Sequence, residues 1–343
     1  MAHDRPLLGS LGLLLAAVVV LTASGSAAAG LYKWVGADGT VTYSDRPQPT
    51  TAESAPAPPP SATDTAPAPK PASAAPPRLP ASAGPATADE VLDLSGVKPQ
   101  LAATPAKLAA EFKPRRGRLN AEDAAALEEI LARHFAAERL YAQVRSEFRK
   151  RADGRKLGEV AAWLRSPLGQ KITELEVAAG LERDAAQRML AFAPGGRGAP
   201  PAARVALIER IDWVAGVTDG ALESMLAVAR AMALAVNRAR PPDERQTTAQ
   251  VERQIQQLRG LARAKLAQAT VMFMLYQYRA LDDDELQQYA DFLASDAGRW
   301  YSATMSKAMN RTVAVAAQRA ATDVVRAIPP QRWSGDAAAS PQH

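Results

Sequence analysis

The chain is expected to adopt an all-α fold: a helical bundle with two related helix-corner-helix repeats, preceded by a small β-hairpin and a disordered Pro/Ala-rich linker. Three observations carry that expectation. From about residue 118 to 329, apolar residues recur at steps of three and four, the period of a helix with one buried face. Within that stretch Trp163-Leu164-x-Ser166-x-x-Gly169 returns as Phe292-Leu293-x-Ser295-x-x-Gly298, in one register (295 − 166 = 129, 298 − 169 = 129). Upstream, proline, alanine, serine and threonine dominate, a composition that buries too little apolar surface to offset its ordering entropy. The expected segments are 1–29, 30–47, 48–117, 118–329 and 330–343.

Residues 1–29 read as a signal peptide. His3, Asp4 and Arg5 make a short polar start, Leu7 to Leu21 is an apolar run, and Ala27-Ala28-Ala29 supplies the small residues of a cleavage site. The run is shorter than the roughly 20 apolar residues of a membrane span, so cleavage after Ala29 is expected, with an uncleaved anchor as the alternative. That places the mature chain in the periplasm or outside the cell. It has no cysteine, hence no disulfide and no thiolate nucleophile. A net charge of +5 over 343 residues is a modest basic bias that suits anionic envelope surfaces, while export removes nucleic acid as a partner.

Residues 30–47 alternate as a hairpin: Tyr32 to Val35, a turn around Asp38-Gly39, then a return through Tyr43. A lone two-stranded hairpin is marginal in water, so Tyr32, Trp34 and Tyr43 are expected to stack together or to dock onto a partner. The run Tyr32-Lys33-Trp34…Asp38…Tyr43-Ser44-Asp45-x-Pro47 resembles domain of unknown function 4124, a small module at the start of exported bacterial proteins. Gly36 departs from the acidic or polar residue common there. The resemblance implies an envelope setting and no catalytic residue. Residues 48–117 follow as an extended spacer or a tolerated low-complexity insertion, closed by the basic run Lys113, Arg115, Arg116 and Arg118.

In the helical region Asn120 reads as an N-cap, and Leu127, Ile130, His134, Ala137, Tyr141, Val144 and Phe148 form one stripe of a long helix ended at Asp153-Gly154. Ser166 and Ser295 are expected to cap the helices after each corner, with Pro167 in a first turn that has no use for its amide. Trp163 and Phe292 are expected to pack inward, and Gly169 and Gly298 to let another helix approach. The first corner, around 155–180, resembles domain of unknown function 2059, an all-helical exported family; the second, around 284–310, lacks the proline and resembles it less. Only fold and location are implied. Gly195 to Pro201 breaks the chain, and further helices are expected at about 202–216, 218–239 and 243–280.

No catalytic constellation is visible. His134 sits on the apolar stripe and reads as a core-edge residue with a satisfied hydrogen bond. Asp282-Asp283-Asp284-Glu285 lacks the calcium-loop pattern and reads as first-turn charge on a helix. The glycines at 195–198 lack the ending of a phosphate loop. Met225, Met232, Met272, Met274, Met305 and Met309 read as core, or as an adaptable groove if one exists. No cofactor and no metal ligand set is assigned. The expectation is a non-enzymatic binding or scaffolding protein of the periplasm, docked through Tyr32, Trp34 and Tyr43 onto peptidoglycan, a protein or an anionic lipid surface. The alternatives are a cell-wall-acting enzyme or enzyme accessory, and a carrier of an apolar ligand or lipid. The oligomeric state and the packing of the two corners are left open.

Overall fold

The structure, a computed structural model, describes residues 32–35, 41–44, 85–112, 119–182, 188–189 and 200–330. Two strands, β1 (Tyr32–Val35) and β2 (Val41–Ser44), pair antiparallel, with Tyr32 across from Ser44, Lys33 from Tyr43 and Trp34 from Thr42. Position 43 thus stands across from 33 rather than from 32 or 34. The aromatic stacking and docking expected of these residues concern side chains outside the described ones, as does the basic run at 113–118.

The described remainder is helical. It begins earlier than composition suggests: α1 (Ala88–Leu94), α2 (Val97–Ala102) and α3 (Thr104–Phe112) occupy the C-terminal part of the expected 48–117 linker. Thr87 caps α1 by accepting from the Glu90 amide at 3.1 Å. Pro99 and Pro105 lie in first turns, where the missing N–H has no intrahelical partner to lose. Val91, Leu92, Val97 and Leu101 are buried in the main core, which a spacer would not be. Charge holds α1 in place as well. Asp89 accepts from Arg145 Nε at 2.9 Å and from Arg149 Nε at 2.8 Å, and Arg165 pairs with Glu90.

Beyond them come α4 (Ala121–His134), α5 (Ala137–Arg149), α6 (Gly154–Arg165), α7 (Pro167–Leu181), α8 (Ala202–Ala215), α9 (Val217–Ala239), α10 (Thr248–Gln277), α11 (Asp283–Ala294) and α12 (Asp296–Ala327). Asn120 caps α4 as expected, accepting from Asp123 N at 2.8 Å. The single long helix expected through Asp153 is instead broken at Phe135-Ala136, where both residues leave the helical backbone region. No glycine or proline marks the break; tertiary packing imposes it. Ile130 packs with Ala320 and Val324 near the C-terminus of α12, whereas Phe148 meets the edges of Trp300 and Tyr301 near its N-terminus. At the break, His134 Nε2 lies 2.7 Å from Asp323 Oδ2, the hydrogen bond expected of a core-edge histidine. The helix expected at 243–280 starts only at Thr248, because Pro241-Pro242 divert the chain and Thr247 with Gln250 forms a capping box.

α12 is the axis, ~48 Å long at ~1.5 Å per residue. α9 runs parallel to it through small residues: Ala231 and Ala235 meet Ala317 and Ala321, and a Cβ on Gly220 would stand 3.0 Å from Ser306 Oγ. α10 runs antiparallel to α9, in register with the pairs Arg263–Asp219, Arg259–Glu223 and Arg230–Glu252. The six methionines of interest are buried or half-buried, in agreement with the core reading. Among the described residues no helix is long and apolar enough to cross a membrane.

The Asp89 cluster yields a pH prediction. The Arg145 hydrogen bond, then that of Arg149, holds the Asp89 carboxyl well below the usual carboxylate range against the opposing effect of burial. Stability from a depressed carboxyl is present above the unfolded value, about 3.9, and lost as pH falls through the folded one. Asp89→Asn is therefore expected to lower the urea midpoint at pH 7, and the gap from the parent to shrink steadily below about pH 4. A gap independent of pH would show that the carboxylate charge contributes nothing.

Candidate functional site

The two corners pack against each other. Trp163, at the end of α6, and Phe292, at the end of α11, stack with ring centroids 4.3 Å apart and planes 5° from parallel. Each corner is built the same way. Ser166 N donates to Trp163 O at 2.9 Å, and Ser295 N to Phe292 O at 3.0 Å. Ser166 Oγ accepts from Gly169 N at 3.0 Å, and Ser295 Oγ from Gly298 N at 3.0 Å, so both serines cap as expected. The glycines act differently from expectation. A Cβ at Gly169 would lie 2.1 Å from Trp163 O, and one at Gly298 2.0 Å from Phe292 O. The close neighbour is the carbonyl six residues back, not another helix; glycine sets the sharpness of the corner.

The step of 129 extends beyond the motif. Asp153 caps α6 and Asp282 caps α11, each accepting from the amide three residues on (282 − 153 = 129). Leu157 and Leu286, Ala161 and Ala290, Leu164 and Leu293 are buried pairs at the same step. Where the copies diverge, they diverge in polarity. Val160 and Ile172 in the first copy correspond to Tyr289 and Tyr301 in the second, and Glu176 in the first to Met305 in the second.

Those departures meet at one place. Glu176, on α7 and 1 % exposed, accepts from Tyr278 Oη at 2.7 Å and Tyr289 Oη at 3.0 Å. Burial, then the negative charge of Glu176, pushes both phenols well above their ordinary range, and Tyr301 rises for the same two reasons. All three tyrosines stay protonated at neutral pH, so Tyr278 and Tyr289 can hold the carboxyl as donors. Beside them is a cavity of about 70 Å³, lined by Trp163 and Phe292, by Met274, Met305 and Met309, and by Gln277. Gln277 is 2 % exposed and its Nε2 has no acceptor. Half-exposed Gly216, Gly220 and Ser306 line the cavity at the α8–α9 turn and α12, which puts its mouth there. Gly216 takes φ +67° as that turn requires, and Asp212 accepts from the Thr218 amide at 2.7 Å to cap α9.

Of the sequence candidates, Trp163 and Phe292 are brought together across the corners and Ser166, Gly169, Ser295 and Gly298 shape each corner locally, while the side chains of Tyr32, Trp34 and Tyr43 lie outside the described residues. The acidic run is helix-start charge: Asp282 and Glu285 form a capping box, Lys171 reaches Glu285 at 2.6 Å, and Arg204 reaches Asp283 at 2.6 Å. Among the described residues no cluster of acids and histidines could hold a metal ion. Glu176, Tyr278, Tyr289 and Gln277 were not singled out from sequence. The available signal was an acid one turn after Ile172 on an otherwise apolar face.

The family described as "Domain of unknown function (DUF4124)" matches residues 13–82. That span is wider than the hairpin at 30–47 and ends before α1. No curated protein and no solved structure matches the chain. The part similar to DUF4124 thus lies ahead of a cored helical domain.

Proposed function

We propose that this chain is an exported, non-enzymatic binding or scaffolding protein of the cell envelope, with its N-terminal module as the tether and its helical domain as the binding part. The observation that carries this reading is the DUF4124 match at 13–82, directly ahead of a helical domain whose core begins at Ala88. The apolar run Leu7 to Leu21 and the small residues through Ala29 support export. The likeness of the corners to domain of unknown function 2059, resting on the motif itself, fits the same setting. Tyr32, Trp34 and Tyr43 are the residues proposed to dock, onto peptidoglycan, an envelope protein or an anionic lipid surface.

Co-sedimentation with purified peptidoglycan sacculi tests the tether. The mature chain is expected to pellet, and a chain lacking residues 30–47 or carrying Trp34→Ala to remain soluble. Equal pelleting of all three, or none of any, would sink the wall-tether reading. A second reading, a carrier of an apolar ligand, is favoured by one observation: Met274, Met305 and Met309 line a cavity between the corners instead of filling it.

A further inference from the structure

We infer that the cavity between the two corners is a binding site for a small neutral molecule with an apolar body of a few carbons and one hydroxyl or carbonyl oxygen. This deepens the carrier reading and does not depend on the tether. Three features of the cavity set the ligand's chemistry.

The first is the acceptor it must bring. A buried amide donor without a partner costs about 1–3 kcal/mol, so a position that keeps one is unusual. Gln277 Nε2 is such a donor, and an incoming oxygen satisfies it. The second is charge. Glu176 lines the same cavity, and no lysine, arginine or histidine does, so an anionic ligand would find a carboxyl and no counter-charge there. A neutral oxygen meets no such penalty. The third is the wall. Trp163 and Phe292 give a flat apolar side, and three thioethers give one that adapts to shape. A volume of about 70 Å³ is below the roughly 150 Å³ that holds benzene, which limits the buried part of the ligand to a few atoms.

The pseudo-symmetry points to the same place. Two copies of one helix corner stacked on each other need only apolar residues, as Val160 and Ile172 show in the first copy. Tyr289 and Tyr301 in the second copy, and Glu176 in the first, each put a polar group where the other copy has an apolar residue. Such local departures from the packing rule gather at functional positions.

The probe is the n-alcohol series from ethanol to hexanol, titrated into the mature chain carrying 13C-methyl methionine and followed by NMR. Met274, Met305 and Met309 are expected to shift saturably, while Met225 and Met272, buried away from the cavity lining, stay in place. Affinity is expected to rise about fourfold per methylene until the cavity is full and then level off. Gln277→Leu keeps the side chain's bulk and removes the orphan donor. It is expected to leave the fold intact or stabilise it while weakening butanol binding about 3- to 10-fold. Shifts that never saturate, or that spread over all methionines, would show alcohol acting as solvent and overturn the site. Saturable binding untouched by Gln277→Leu would overturn the assigned acceptor. A larger mass co-purifying in native mass spectrometry, with no saturable alcohol response, would overturn this ligand class and leave the carrier reading standing.

Discussion

Trp163→Ala is expected to destabilise the helical domain by about 3–5 kcal/mol, the range for truncating a large buried aromatic. The upper end is favoured here, because Trp163 already borders a cavity and the space it leaves merges with that void. Phe292→Ala should cost nearly as much, since it forms the other face of the same stack. The informative quantity is the coupling between them. The pair is expected to fall short of additive by about 0.5–1.5 kcal/mol, the value of an aromatic pair beyond its area burial. Urea unfolding of the parent, both single variants and the double variant measures it. Additivity within about 0.3 kcal/mol would mean that the two corners fold without sensing each other.

Gly298→Ala is expected to cost about 3 kcal/mol, the upper part of the range for forcing atoms into a packed site. Its Cβ would stand 2.0 Å from Phe292 O and 2.8 Å from Leu293 Cα, and both are backbone atoms that yield only if the corner opens. Opening it pulls Phe292 off Trp163, so near-ultraviolet dichroism should change along with stability. Gly169→Ala should behave alike, from the 2.1 Å approach to Trp163 O. Gly260 supplies the contrast. It sits inside α10 with nothing within 4 Å of its would-be Cβ, and alanine there should stabilise by roughly 0.5–1 kcal/mol through helix propensity alone. Opposite signs for the same substitution at two helical glycines are the signature of the corner. Equal signs would remove the steric account of the motif.

Ser295→Ala leaves the glycine in place and tests the smaller part of the corner. Loss of the Oγ that accepts from Gly298 N should cost about 1 kcal/mol. A corner is thus held by three unequal contributions, with the aromatic stack and the glycine ahead of the cap.

The corners were legible because each depends on neighbours in the chain. A serine reaching an amide three residues on is short-range geometry that the repeat printed twice; the glycines were legible as part of the motif, but the carbonyl six residues back that requires them was not. The N-caps at Asn120 and Ser166 were readable for the same reason. Where expectation failed, composition or periodicity had been asked to decide what contacts decide. Residues 88–112 are rich in alanine and proline like the spacer before them, yet four apolar side chains and the Asp89 carboxylate find partners on α5 and α6. The stripe from Leu127 to Phe148 keeps helical period across Phe135-Ala136, because both halves bury the same face against α12.

By itself, the sequence determined the all-helical class, the doubled corner and the chemistry of its caps, all set by interactions within a few residues. Tertiary structure alone decided that the two corners stack on each other, that the helices from Ala88 onward join the core, and that Glu176 meets Tyr278 and Tyr289 beside a cavity. Those residues are separated by 102 and 113 positions in the chain. Nothing local encodes such a meeting; it exists because α7, α10 and α11 are brought together by burying their apolar faces, and the polar groups they carry must then find one another.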